Sequence, residues 1–167
     1  MYKGTYERRL VPPASGPSAM RDMTIQQMKD VRRSLDYLET RQDIDRERIA
    51  FFGVSMGARL GSLPLALDKR FKAAVLWSGG FSTGGTILPE VDPINFAPRV
   101  TTPVLMLNGR DDFDFPIETS QKPMFRLIGT PDADKRHVLF DGGHVFPFAR
   151  VEKDTLDWLD RYLGAPK

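Results

Sequence analysis

Continuous apolar runs recur four times along the chain, at residues 49–54, 73–77, 103–107 and 137–140. Each is short and lacks polar–apolar alternation, the pattern of a strand covered on both faces of a parallel sheet. Elsewhere the spacing turns helical. Met28, Val31, Leu35 and Leu38 repeat at three- and four-residue intervals with charges on the other face, and Thr24 with Gln27 fits a capping box. Further helices are expected over residues 58–67, 119–128 and 151–163, with Pro64 and Pro123 keeping the first two short or irregular. In the last of these, Leu156, Leu159 and Leu163 line one face. Residues 10–18 are rich in Pro, Gly and Ser and read as a surface loop. Alternating strands and helices predict an α/β fold, a three-layer sandwich around a mostly parallel sheet, with residues 1–167 forming one domain.

The first apolar run leads straight into Gly53-Val54-Ser55-Met56-Gly57, with a helix-compatible stretch behind it. A G-x-S-x-G turn between strand and helix holds its serine in a strained conformation that lifts Oγ clear of the sheet. The flanking glycines are expected where side chains would collide with neighbouring backbone. Ser55 is therefore the candidate nucleophile.

Composition narrows the chemistry around it. There are no cysteines, which excludes disulfides, a thiol nucleophile and thiolate metal ligands. The net charge is only +2 and basic residues are not clustered with aromatics, so no nucleic-acid partner is expected. No apolar run approaches a membrane span, and residues 1–6 carry no apolar stretch of the secretory kind. No membrane partner is expected, and the expected location is cytoplasmic.

A serine hydroxyl needs a base, usually histidine, and a carboxylate to fix the imidazole tautomer. The chain has two histidines. His137 opens the fourth apolar run behind Lys135 and Arg136 and is assigned to the surface or a strand edge. His144 follows Gly142 and Gly143 in the loop after that run, where a catalytic imidazole should sit. Asp111, Asp112 and Asp114 compete for the acid. The spacing G-x-x-D-x-x-(apolar)-P, ending in Phe115-Pro116, selects Asp112. Three nearby aspartates also suggest a cation, but they lack the glycine turn and distal glutamate of a calcium loop, and no metal is expected. The order Ser55, Asp112, His144 is that of α/β-hydrolases.

Residues 28–38 and 45–57, together with the acid loop (Pro103 to Asp112) and Gly143-His144, resemble α/β-hydrolases over nearly the whole chain. The likeness is strongest to the prolyl-oligopeptidase-like and dienelactone-hydrolase-like branches. Hydrolase-like modules at the C-terminal end of some bacterial multidomain proteins are similar as well. The resemblance implies a serine hydrolase, most readily a carboxylesterase, with an acyl-enzyme on Ser55 and no cofactor. It implies that the Met56 amide is one oxyanion donor. A small soluble ester is the implied substrate, since the insertion between Phe81 and Pro98 leaves no room for a large lid. Gly80, Phe81, Phe113 and Phe146 are the expected substrate-binding residues, with Phe115 and Phe148 as further candidates for an apolar acyl pocket. The rival readings are a prolyl-oligopeptidase-type peptidase and a non-catalytic module for dimerisation or scaffolding.

A full family domain has eight strands, with the elbow after the fifth. Here about 50 residues precede the elbow, residues 1–8 resemble the end of the fourth strand and the loop beyond it, and the first three strands have no counterpart. The chain is thus expected to be the C-terminal part of a hydrolase domain. Its first apolar run would then form an open sheet edge, which tends to pair with another chain. A homodimer, or a need for an upstream segment, is the expectation. The second oxyanion donor usually comes from the loop after the missing third strand, so either a partner subunit supplies it, the N-terminal loop near Tyr2 and Gly4 is rearranged to do so, or activity is weak.

Overall fold

A computed structural model describes residues 4, 6–9, 15–145 and 147–165. Four strands, β1 (Ala50–Val54), β2 (Ala73–Trp77), β3 (Val104–Gly109) and β4 (Lys135–Phe140), pair in chain order and are all parallel. The four expected runs are these strands. The register sets Phe52 beside Val75 and Val75 beside Leu105. The central strands β2 and β3 are buried on both faces, apart from half-buried Trp77, which explains their unbroken apolar sequences.

The helices α1 (Gly16–Thr40), α2 (Met56–Leu60), α3 (Ser62–Leu67), α4 (Lys122–Leu127) and α5 (Ala149–Leu163) cover the sheet. One face carries a core of Val31 and Leu35 from α1, Ala58 from α2, Leu65 from α3 and Met124 from α4, packed on Ala74, Leu76, Val104 and Met106. On the other face Val151 and Trp158 of α5 pack on Ala73, Val75, Leu105 and Leu107. Burial on both sides makes the three layers. On the α5 face the outer strand β1 leaves Phe52 45% and Val54 46% exposed. Among the described residues, no helix is long and apolar enough to cross a membrane.

Three local expectations are corrected. Helix α1 begins at Gly16, inside the stretch read as a loop, because Pro17 stands at the helix start where its missing N–H costs nothing. Thr24 is consequently mid-helix, and its hydroxyl donates to the Met20 carbonyl (2.9 Å) instead of capping. In α5 Leu159 and Leu163 pack against the core as expected, but the fully buried positions are Val151, Thr155 and Trp158, and Leu156 is 52% exposed. The break between α2 and α3 falls at Gly61, whose missing Cβ leaves room for Leu76 Cδ2.

His137 lies on edge strand β4, as expected, but is half-buried and built into the fold. Its Nε2 donates to Asn108 Oδ1 (3.1 Å), while Asn108 Nδ2 donates to the Gly79 carbonyl (2.8 Å). The Phe125 ring lies alongside at 5.5 Å. Burial, with a smaller push from the positive charge of Lys122, lowers the His137 pKa to about 4. The unfolded chain takes up a proton near pH 6.5 and the folded chain only near pH 4, so acid favours unfolding across that window. Denaturation midpoints should therefore fall from pH 6.5 to pH 4. In His137→Gln, which keeps a donor for Asn108, that fall should be shallower. An equal pH slope in the two proteins would show that His137 does not carry the effect.

Candidate active site

Strand β1 and helix α2 are joined by the single residue Ser55, and so abrupt a join demands a close approach. A Cβ on Gly53 would lie 2.7 Å from the Gly57 carbonyl carbon and 2.8 Å from the Ala58 nitrogen, so only glycine fits. Ser55 absorbs the turn at φ 52°, ψ −111°, a region that costs a non-glycine residue roughly 1–3 kcal/mol. Its N–H is anchored to the Trp77 carbonyl (2.9 Å), and its carbonyl accepts from Arg59 N–H (2.9 Å). Gly57 differs from expectation: a Cβ there meets nothing within 4 Å.

The loops after β3 and β4 are laced together. Asp111 N–H donates to the Gly142 carbonyl (2.9 Å) and Arg110 N–H to the Phe140 carbonyl (2.8 Å). Gly109 permits this approach, since a Cβ there would sit 2.1 Å from the Gly143 oxygen. Buried Gln121 braces the first loop, donating from Nε2 to the carbonyls of Gly109 (3.0 Å) and Phe115 (2.7 Å).

These constraints bring Ser55, Asp112 and His144 together. Ser55 Oγ lies 2.8 Å from His144 Nε2, and His144 Nδ1 lies 3.0 Å from Asp112 Oδ2 and 3.2 Å from Oδ1. The Asp112 carboxylate is fully buried, and its Oδ1 accepts backbone N–H groups of Asp114 (2.9 Å) and Phe115 (3.0 Å). A carboxylate can only accept, so Nδ1 carries the proton and Nε2 is free to accept from the serine hydroxyl. The imidazole keeps 22% exposure, with the Phe115 ring 5.7 Å away. A serine, imidazole and carboxylate connected in this order can support nucleophilic attack on a carbonyl. Asp114 stands farther off, 3.7 Å from Nδ1 and 71% exposed. Asp111 contributes its backbone N–H to the loop contact. Asp112, Asp114 and His144 also bring ligand atoms within 4.8 Å of one another, a spacing a cation could use, but Asp112 Oδ1 already takes two amides.

Around Ser55 opens a cleft of about 440 Å³, lined by Ser55, Met56, Arg59, Ser82, Thr83, Gly84, Asp114 and Phe115. The Met56 amide begins α2, where a helix N–H has no intrahelical partner. The expected substrate-binding residues fall differently. Gly80 and Phe81 are buried behind the cleft, packed on Ser120, whose hydroxyl donates to the Phe81 carbonyl (2.6 Å). Phe113 is 93% exposed and lines no pocket wall here, because Asp112 turns inward and swings its neighbour out. Phe148 packs on Trp77 at 5.7 Å, and Phe146 lies outside the described residues. The residues missed from sequence are Arg59 and Ser82 to Gly84. The position of Arg59, one turn beyond the elbow serine, was the available signal.

The profile of the dienelactone hydrolase family matches residues 1–152. The uncharacterised Mycobacterium tuberculosis protein Rv2307c is 29% identical over 148 residues, covering 80% of this chain and 51% of its own. A Salmonella typhimurium protein provisionally named a carboxymethylenebutenolidase is 30% identical over 103 residues, 61% of this chain and 38% of its own. The chain thus spans about half, or less, of these relatives' lengths. The polyethylene-glycol complex of a cold-adapted esterase from an Arctic intertidal metagenomic library is 25% identical, with a TM-score of 0.72, over 97% of this chain and 67% of that one.

The elbow geometry separates its two glycines. Gly53→Ala should lose several kcal/mol of stability, on the scale of overpacking against rigid backbone. Gly57→Ala, inside α2 and facing open space, should be neutral or gain up to about 1 kcal/mol. Chemical denaturation of both variants measures this, and equal losses would contradict the contact at Gly53.

Proposed function

The chain belongs to the dienelactone hydrolase family, and on that premise we propose that it is a serine hydrolase of small carboxylic esters. The observation that carries the reading is the connected series Ser55 Oγ, His144 Nε2, His144 Nδ1 and Asp112, with contacts of 2.8 Å and 3.0 Å. Ser55 Oγ attacks the ester carbonyl as His144 Nε2 takes its proton. Asp112 holds the ring and stabilises the imidazolium that forms. The Met56 N–H is one donor to the oxyanion, a contact of the kind typically worth 10²–10³ in turnover. Collapse of the tetrahedral intermediate expels the alcohol, which takes the proton from Nε2. Water then attacks the acyl-enzyme with His144 again as base, which releases the acid and restores Ser55.

The cleft supports small substrates: it is open, about 440 Å³, and its rim from Ser82 to Gly84 is a short exposed loop. Pairing of two copies through β1 belongs to the same proposal and is supported by the half-exposed Phe52 and Val54. Light scattering should then give a dimer, and a monodisperse monomer would remove that part.

A fluorophosphonate probe read by intact mass tests the nucleophile. One adduct is expected on the native protein and none on Ser55→Ala. Folded native protein that takes no adduct would favour the scaffolding reading. Asp112→Asn should lower kcat by roughly 10⁴-fold, because it favours the wrong imidazole tautomer. Acyl esters should be turned over faster than aminoacyl amides, and the reverse order would make the protein a peptidase.

A further inference from the structure

A narrow recess of about 40 Å³ opens between α1 and α2, walled by Met28 and Val31 of α1, Phe51 of β1, and Met56, Gly57 and Leu60 of α2. These walls are apolar. Gln27 brings the one polar side chain to the lining, and it is already partnered. A bound water needs two or more polar partners, so the recess suits hydrocarbon better than water. Gly57 is what keeps it open. A Cβ there meets nothing within 4 Å, and its φ is not positive. Neither a close contact nor the backbone conformation requires glycine at this position, and glycine weakens a helix relative to alanine. Gly53 is the contrast, since a Cβ there would strike backbone at 2.7 Å. What glycine provides at position 57 is space.

Met56 connects that space to the chemistry. It lines both the recess and the serine cleft, and it is 45% exposed. A methionine side chain has three rotatable bonds and repacks readily around a ligand. Ser55 and Gly57 flank it in the chain, so an acyl carbon on Ser55 Oγ has a short path over Met56 into the recess. The size of the recess limits what enters. An apolar cavity of about 150 Å³ holds a benzene ring. On that scale 40 Å³ seats roughly the last one or two carbons of an unbranched chain.

We propose that this recess is the subsite for the tail of a linear, medium-length acyl chain, and that Gly57 is the specificity-determining residue that leaves room for it. The proposal rests on the serine-hydrolase reading for its chemistry but not for its binding. With the ester carbonyl at Ser55, the acyl chain crosses Met56 and its terminal carbons lie against Gly57, Phe51 and Met28. Each methylene buried there strengthens binding by about fourfold, the ordinary transfer value. A chain too short to pass Met56 gains nothing from the recess.

The test compares kcat/KM for p-nitrophenyl hexanoate and p-nitrophenyl acetate. The native protein should favour the hexanoate. Gly57→Ala, which takes up part of the recess, should lower the hexanoate-to-acetate ratio by about fourfold, and Gly57→Val, which fills it, by up to about 16-fold. Gly57→Ala still reports if Gly57→Val does not fold. A ratio unchanged by either variant, or equal losses on both esters, would overturn the proposal. Saturation-transfer NMR with ethyl hexanoate separates this from failure of the hydrolase reading. If neither ester is turned over, saturation of Ser55→Ala that is strongest at the terminal methyl of the acyl chain, and is lost in Ser55→Ala/Gly57→Val, still upholds the subsite. No binding to Ser55→Ala, saturation spread evenly along the chain, or a terminal-methyl signal that survives Gly57→Val removes it.

Discussion

The contact between Gly53 and the Gly57–Ala58 backbone is what the rest of the site depends on. With no Cβ at Gly53, helix α2 can begin one residue after β1 ends. Ser55 is then forced to φ 52°, a conformation maintained because everything around it is already placed. The strand behind it is hydrogen-bonded to β2 through its length, and Ala58 is sealed in the core under Gly79. The strain is local and the support for it is distributed.

The same economy of backbone appears at the other end of the sheet. Gly109 allows the loop after β4 to lie directly on the loop after β3, which brings residues 112 and 144 within hydrogen-bonding reach. Gln121 and the amides of Asp114 and Phe115 then hold the carboxylate loop from the inside. The positions of Ser55, Asp112 and His144 are thus set by strand ends and close backbone approaches, with side-chain packing in a supporting role.

Strand positions were legible because β2 and β3 are apolar at nearly every residue, which only two-sided burial explains. Ser55, Asp112 and His144 were legible as a set because they follow the runs that form β1, β3 and β4. The start of α1 was not, since proline and glycine signal a loop and a helix N-terminus alike, and only tertiary packing decides. Phe113 and Phe81 show a different limit. Composition marks an aromatic as apolar, but one turned out to face solvent and the other the core, and loop geometry decides which. Arg59 escaped for a related reason: nothing in a linear pattern reveals that a surface-type residue will be half-buried and line the cleft beside the elbow serine.

The order of the sheet has a consequence for how the molecule is made. Strands β1 to β4 lie side by side in the order in which they occur along the chain. Each strand can therefore join the edge left by its predecessor, without insertion between strands already paired. Ser55 and His144, however, are 89 residues apart, and their contact closes only when β4 and its loop have docked. Long-range closures of this kind are late and slow steps, because chain entropy must be lost before the contact forms. Reactivity at Ser55 would thus register the last stage of folding, and intermediates holding β1 to β3 would carry a strained but unassisted serine.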